Sequence, residues 1–247
     1  TPPRPSVCTP SKIGSGKGGL TPTDEQRQLR DSADRLIAAE YPLERSRRVA
    51  DEQGFDRAFW SRMAEMGWLG ACLPESVGGY ASSAQEPLIL MGAMGRGLVV
   101  EPLLHGLIAP AQAILAAAPE RAEALLAPAI AGEEVLALAW AEAERRYDLT
   151  PAATRAERDG AGWRLRGRKM AVVAAPQAGT LIVSALTESG VSLFLVPRDA
   201  PGMTVAEHRM IDGQAAADLL FADVRLPEEA LLAGPQTAPA ALEAAFD

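Results

Sequence analysis

The residues with the greatest capacity for chemistry fall in one short run, Trp140 to Asp148, WAEAERRYD. Glu142 can exchange a proton, but an acid at a strand end more often anchors a turn or an ion pair, and anchoring is the role expected of it. Arg145 and Arg146 carry planar guanidinium forks that match phosphate oxygens. Adjacent arginines in a polar run more often form a solvated loop, and that plainer reading is preferred. Tyr147 offers either a hydroxyl to a ligand or a ring that blocks the ligand's path; residue type does not choose between them. Trp140 is assigned to the core, with a platform under a flat ligand as the second reading.

Elsewhere the reactive types are sparse. The two cysteines are Cys8, in a Pro/Gly/Ser-rich run, and Cys72, in an apolar one. They exclude a disulfide framework and any site needing three thiolates. The two histidines, His105 and His208, lie far apart, so no His/Cys metal cluster is expected. His105 follows an apolar stretch and is read as a packed histidine, and His208, beside Glu207, as part of a surface loop. Arg45, Arg47 and Arg48 stand near Asp51 and Glu52 and are read as a solvated helix face. Gly14-Ser15-Gly16-Lys17-Gly18 faintly resembles a phosphate loop, but it lacks the required spacing and no strand precedes it. Residues 1–20 are expected to be a disordered tail.

Composition narrows the partners. The 247 residues are 48% hydrophobic and 23% charged, with a net charge of -8; the mean hydropathy is +0.01 and the pI near 5.0. This supplies a core for one large domain or two ordinary ones. The acidic balance argues against nucleic acid as a partner. No apolar run of about 18 residues predicts a membrane span, and no apolar leader stands at the N-terminus. A reduced, cytoplasmic protein is the expectation.

The pattern changes once along the chain. Thr21 is expected to cap a first helix, with Pro22, Asp24 and Glu25 in its first turn. Leu29, Ala33, Leu36 and Ile37 form its apolar face, and Pro42 ends it. A second helix carries Phe55, Phe59, Trp60 and Met63 and stops near Gly67. A Pro/Gly turn follows over Leu73–Tyr80. Helices are predicted over about 84–100, 103–117 and 119–131, with Gly92, Gly95 and Gly97 marking close packing. From about 133 the pattern turns to strands: Val135–Trp140, then a short mixed run at Thr154–Arg158, an alternating run at Trp163–Gly167 after a hairpin signal at Asp159–Gly162, and strands over Thr180–Leu186, Val191–Val196 and Asp218–Leu226. The expected fold is α+β: a disordered tail (1–20), an all-α N-terminal domain (21–132), a β-barrel-like middle domain (133–234) and the start of another helical segment (235–247). No GxGxxG follows a strand, so no Rossmann site is expected.

Four motifs carry a resemblance. Pro74-Glu75 through Gly78-Gly79 is similar to a PExxGG turn. Gly167-Arg168-Lys169 after Asp159-Gly160 is similar to dGdgyvLnGrK. Phe194–Asp199 with Pro201-Gly202 is similar to FlVprdtpG, and Phe221–Pro227 to FddVrVP. In this order and spacing, over about residues 20–247, the chain resembles the acyl-CoA dehydrogenase family. That family oxidises an acyl-CoA thioester to its 2,3-enoyl-CoA with FAD. A carboxylate takes the α-proton, hydrogen bonds polarise the thioester carbonyl, and water is excluded.

The resemblance implies FAD as cofactor, an acyl-CoA substrate, electron-transfer flavoprotein or a similar acceptor as partner, and a homo- or hetero-oligomer. It places flavin contacts at Leu138, Trp140, Ala141, Ala171, Val172 and Val173, and substrate contacts at Arg146 and Tyr147. It also implies a C-terminal helical bundle, which supplies the base in most members; after Asp247 the sequence holds none, so no catalytic carboxylate is assigned. The chain departs from the family where flavin should touch. The TEPxxGSD motif falls on Ala141–Asp148, where only Glu142 and Asp148 match. The WIT or WIS motif falls on Ala171-Val172-Val173. Loss of two side-chain donors costs on the order of 1 kcal/mol each, which weakens FAD binding without abolishing it, since backbone N–H groups remain. The expected function is therefore an FAD-dependent acyl-CoA dehydrogenase. The alternatives are a non-catalytic subunit of a heteromeric dehydrogenase, a form the family uses on bulky substrates such as sterol side chains, and an acyl-CoA-binding scaffold without redox activity.

Overall fold

The computed structural model describes residues 22–52, 54–151 and 153–247. Cys8, the glycine run at 14–18 and Thr21 lie outside the described residues. The first helix, α1 (Asp24–Glu40), is capped by Thr23, whose hydroxyl accepts from the Gln26 N–H while the Gln26 side chain accepts from the Thr23 N–H. The T-x-x-Q spacing of a capping box moves the start two residues beyond Thr21. Ala33, Leu36 and Ile37 are buried on its inner face, and Tyr41 closes the helix just before Pro42.

A separate helix, α2 (Leu43–Glu52), precedes α3 (Arg57–Glu65). Phe55 stands ahead of α3, whose N-cap is Asp56. Arg45 does not lie on a solvated face. Its guanidinium sits 5.4 Å from the Tyr41 ring centre and 5.2 Å from that of Phe59, and pairs with Asp56 at 2.7 Å. The stem covers aromatic surface while the fork is satisfied. Phe59, Trp60 and Met63 are wholly buried, and two short 3-10 turns over residues 70–77 cover the same core.

Helix α4 (Gln85–Arg96) crosses α1 and ends earlier than its apolar pattern suggests. Gly97 caps it and Leu98 adopts φ +52°, which no helix can continue. Of the three glycines only Gly97 marks close packing: a Cβ there would lie 2.2 Å from Ile37 Cγ2, whereas Gly95 faces open space. The next helical stretch begins with a wide π-turn over residues 104–108 before α5 (Ala109–Ala117) and α6 (Pro119–Ile130).

The strands are β1 (Leu136–Ala139), β2 (Arg155–Asp159), β3 (Gly162–Val173), β4 (Thr180–Thr187), β5 (Gly190–Pro197), β6 (Met203–Arg209), β7 (Ala215–Leu226) and β8 (Leu231–Ala233). They form one sheet in the order β6-β7-β3-β2-β4-β5-β8, with β1 parallel to β4. The sheet is open at β6 and β8, so the barrel-like expectation is corrected to an open, strongly bonded sheet. His208 lies on edge strand β6, not in a loop. Last comes α7 (Ala238–Ala244), packed on α5.

The helices and the sheet meet at a tight seam. Gly54, at φ +63°, leaves no room for a Cβ, which would lie 2.6 Å from the Ala215 nitrogen. Arg209 on β6 donates to the Ala50 carbonyl and reaches Asp51 at 3.4 Å. Among the described residues no helix is long and apolar enough to cross a membrane.

Candidate functional site

The segment leaving β1 is fixed from behind by a buried ion pair. Glu142 Oε1 lies 2.8 Å from Lys169 Nζ, and both side chains are essentially without solvent. The ammonium also donates to the Trp140 carbonyl at 3.1 Å and to Ser184 Oγ at 2.9 Å. The carboxylate accepts from the backbone N–H groups of Ala153 at 2.7 Å and Thr154 at 3.1 Å. Burial pushes the Glu142 carboxyl up, but these donors and the Lys169 charge prevail and hold it down to about 2. Burial draws Lys169 down to about 8 against the pull of its partner. Every donor proton of Lys169 is used, the condition under which a buried pair is tolerated. Glu142 is thus an anchor, as its residue type suggested.

The same strand then bulges. The β3–β7 register shifts between Lys169 and Val172. Met170 N–H donates to the Ala141 carbonyl at 3.0 Å, locking the bulge to the segment after β1. Ala171 sits at φ +49°, and its N–H donates to Asp218 Oδ1 at 3.0 Å. A non-glycine residue in this region costs on the order of 1 kcal/mol, offset here by the carboxylate cap.

In front of these supports lies a cavity of about 340 Å³. Leu138, Trp140, Ala141, Ala171, Val172 and Val173 line it, and Arg146 and Tyr147 stand at its rim. The structure thus brings together all eight residues that the sequence placed at a ligand. Trp140 is half-buried on the cavity wall, not in the core; its ring meets Phe246 edge-on at 5.1 Å. Tyr147 is 92% exposed, so in this arrangement it does not plug the cavity. Arg145 turns outward to Asp148 at 3.2 Å, the solvated-loop role.

Sequence reasoning missed His105, Ala109, Met210 and Phe246 on the opposite side of the cavity. His105 does not sit in the core. It lies on the π-turn and faces both this cavity and an adjoining, mostly apolar groove of about 950 Å³. The groove shares His105, Ala109 and Phe246 with the cavity and runs between α4, α5 and the end of α7. Only the period-breaking run Pro102–Pro110 hinted at the wide turn. Four residues before His105, Glu101 is 2% exposed and, among the described residues, has no cation paired with it. Burial pushes its carboxyl up to about 7, helped by the charge of Asp56.

Comparison with known proteins decides the family. Residues 23–133 match the model of the acyl-CoA dehydrogenase N-terminal domain, and residues 137–224 that of the acyl-CoA dehydrogenase middle domain. The chain belongs to the acyl-CoA dehydrogenase family. It is 30% identical to benzylmalonyl-CoA dehydrogenase of Aromatoleum aromaticum over 76% of this chain and 52% of that protein. Among solved structures it is similar to the Tcur3481–Tcur3483 steroid ACAD G363A variant, with TM-score 0.77 and 30% identity over 90% of this chain and 60% of that one. The ChsE4–ChsE5 complex from Mycobacterium tuberculosis gives TM-score 0.78 and 26% identity, with the same coverage. The chain spans about half the length of the curated relative and 60% of the solved chains.

The acyl-CoA dehydrogenase cavity can be judged against a flavin ring. Its lining is mostly apolar, with Trp140 and Phe246 adding aromatic surface, which suits the faces of the ring system. Ala141, Val172 and Val173 offer no side-chain hydrogen bond to its polar edge, and the Ala171 N–H is already given to Asp218. The residues present would suit the faces of such a ring through apolar contact and would offer its polar edge few donors.

Proposed function

We propose that the chain forms part of an FAD-dependent acyl-CoA dehydrogenase that converts an acyl-CoA thioester to its 2,3-enoyl-CoA. The observation that carries this reading is the meeting of the cavity with the apolar groove at His105, Ala109 and Phe246. A flat ring against Leu138, Trp140, Ala141 and Val172–Val173 would stand beside an acyl chain laid in the groove. Bound FAD would supply the two-electron acceptor. The chain's own residues build the apolar walls that exclude water from the reacting carbons. Lys169 and Glu142 hold the wall in place, and Arg146, with no ion-pair partner among the described residues, offers its guanidinium at the rim for a phosphate group. Two relatives are named for bulky acyl groups, benzylmalonyl and steroid, and a groove of this size accords with such substrates.

A second reading has its own observation. Ala141, Val172 and Val173 give the cavity no side-chain hydrogen-bond donor for a flavin's polar edge. This favours a subunit that works beside a competent partner in an unequal pair. A visible absorbance spectrum of the protein purified from its source, with any partner retained, tests both. The expected result is a flavin band that bleaches on addition of acyl-CoA. A preparation that stays colourless after incubation with FAD overturns the dehydrogenase reading.

A further inference from the structure

The π-turn over residues 104–108 widens the helix just before Pro110, whose missing N–H and ring disfavour a regular turn behind it. The Ala109 N–H bonds back to the Leu104 carbonyl across this turn. His105, Ile108, Ala109, Gln112 and Leu115 then share one face and line the groove. Of the polar residues among those described, only His105 faces both the groove and the cavity.

Its imidazole is half-buried and has no hydrogen-bond partner among the described residues; the charge that acts on it is that of Asp212. Burial in this apolar setting lowers its pKa, so the ring is neutral near pH 7. A neutral imidazole offers one N–H donor and one acceptor nitrogen, and can hold a hydroxyl or a ketone equally. A packed histidine would have spent these atoms on the protein. Ser82 and Ser83, at the groove's outer part, have done so, donating to Glu86 at 2.7 and 2.9 Å.

We propose that His105 is a substrate-specificity residue whose imidazole hydrogen-bonds an oxygen substituent, hydroxyl or ketone, on a bulky acyl group passing from groove to cavity. This rests on the acyl-CoA reading above. The physical ground is that a plain hydrocarbon would strip water from the imidazole and return nothing. An oxygenated chain would replace that water, and sites built in this way discriminate strongly against analogues lacking the partner.

The test compares cyclohexanecarboxyl-CoA with its 3-oxo and 4-oxo analogues, by calorimetric titration of the purified protein with any partner subunit it carries. At least one oxo thioester is expected to bind about tenfold more tightly than the parent. His105→Phe should abolish that preference, and His105→Asn should restore part of it. Equal binding of all three to the native protein overturns the proposal. So does a folded His105→Phe variant that keeps the preference, or one that loses all three ligands alike. If His105→Phe does not fold, the native preference and His105→Asn decide. If none of the thioesters binds the native protein, the acyl-CoA reading fails and this inference falls with it. Binding without preference removes the inference alone.

Discussion

Two buried glutamates, Glu101 among the helices and Glu142 just after β1, behave in opposite ways. Glu101 is 2% exposed and Glu142 is 3% exposed. Yet the carboxyl of Glu101 is pushed up to about 7 and that of Glu142 held at about 2. Burial pushes both carboxyls up, so burial alone does not set the charge. The donors delivered to the carboxylate decide between them: Lys169 and two backbone N–H groups at Glu142, against an acidic neighbour and, among the described residues, no cation at Glu101. The sheet side of the cavity is a wall stiffened by a satisfied ion pair. The helical domain instead buries a carboxyl whose hold on its proton is strengthened.

The largest test removes the cation. Lys169→Met should destabilise the fold by about 3–5 kcal/mol, because it strands the Glu142 charge in the interior. Urea unfolding at neutral pH measures it, and a loss under about 1 kcal/mol would break the contrast between the two glutamates. Next, Glu101→Gln probes the opposite case. The folded pKa is raised above its ordinary value of 4.5, so the folded state keeps a proton that the unfolded chain releases. That contribution is full below about pH 4.5 and is lost as pH rises to about 7. The glutamine variant should flatten this limb and gain on the order of 2–3 kcal/mol over the native protein at pH 8. The Glu142 contribution runs the other way, present above pH 4.5 and lost as pH falls toward 2.

Smaller effects sharpen the picture of the wall itself. Ala141→Thr and Val173→Thr each place a hydroxyl on the ligand-facing side. Each should tighten FAD about fivefold, near 1 kcal/mol, in a fluorescence titration. No gain from either would place the flavin's polar edge away from those positions. Smallest is Tyr147→Ala, which should change stability by no more than about 0.5 kcal/mol in the same urea assay.

Much of this was legible in the sequence. Helix α1 followed from its apolar spacing and Pro42, and its true cap, Thr23 with Gln26 three residues on, was a readable signal passed over for Thr21. The eight ligand-side residues came from motif positions and converge on one cavity. What escaped had physical causes. Strand β6, MTVAEHR, is an edge whose residues are mostly exposed, so it shows no buried alternation. Strand β8 has three residues, too few for any period. Arg45 reads as a surface charge until the fold lays it over Tyr41 and Phe59. His105 carries no local mark of a cavity, since the groove exists only where α4, α5 and α7 converge.

The seam at Gly54 bears on how the molecule comes apart. With Arg209 bonded across it and no space for a methyl group, the helices and the sheet have little freedom to separate singly. Amide protons in α2 and in β6–β7 should then exchange with deuterium through one shared opening event. The change from helical to strand pattern near residue 133 marks a border in architecture, and the energetic unit extends across it.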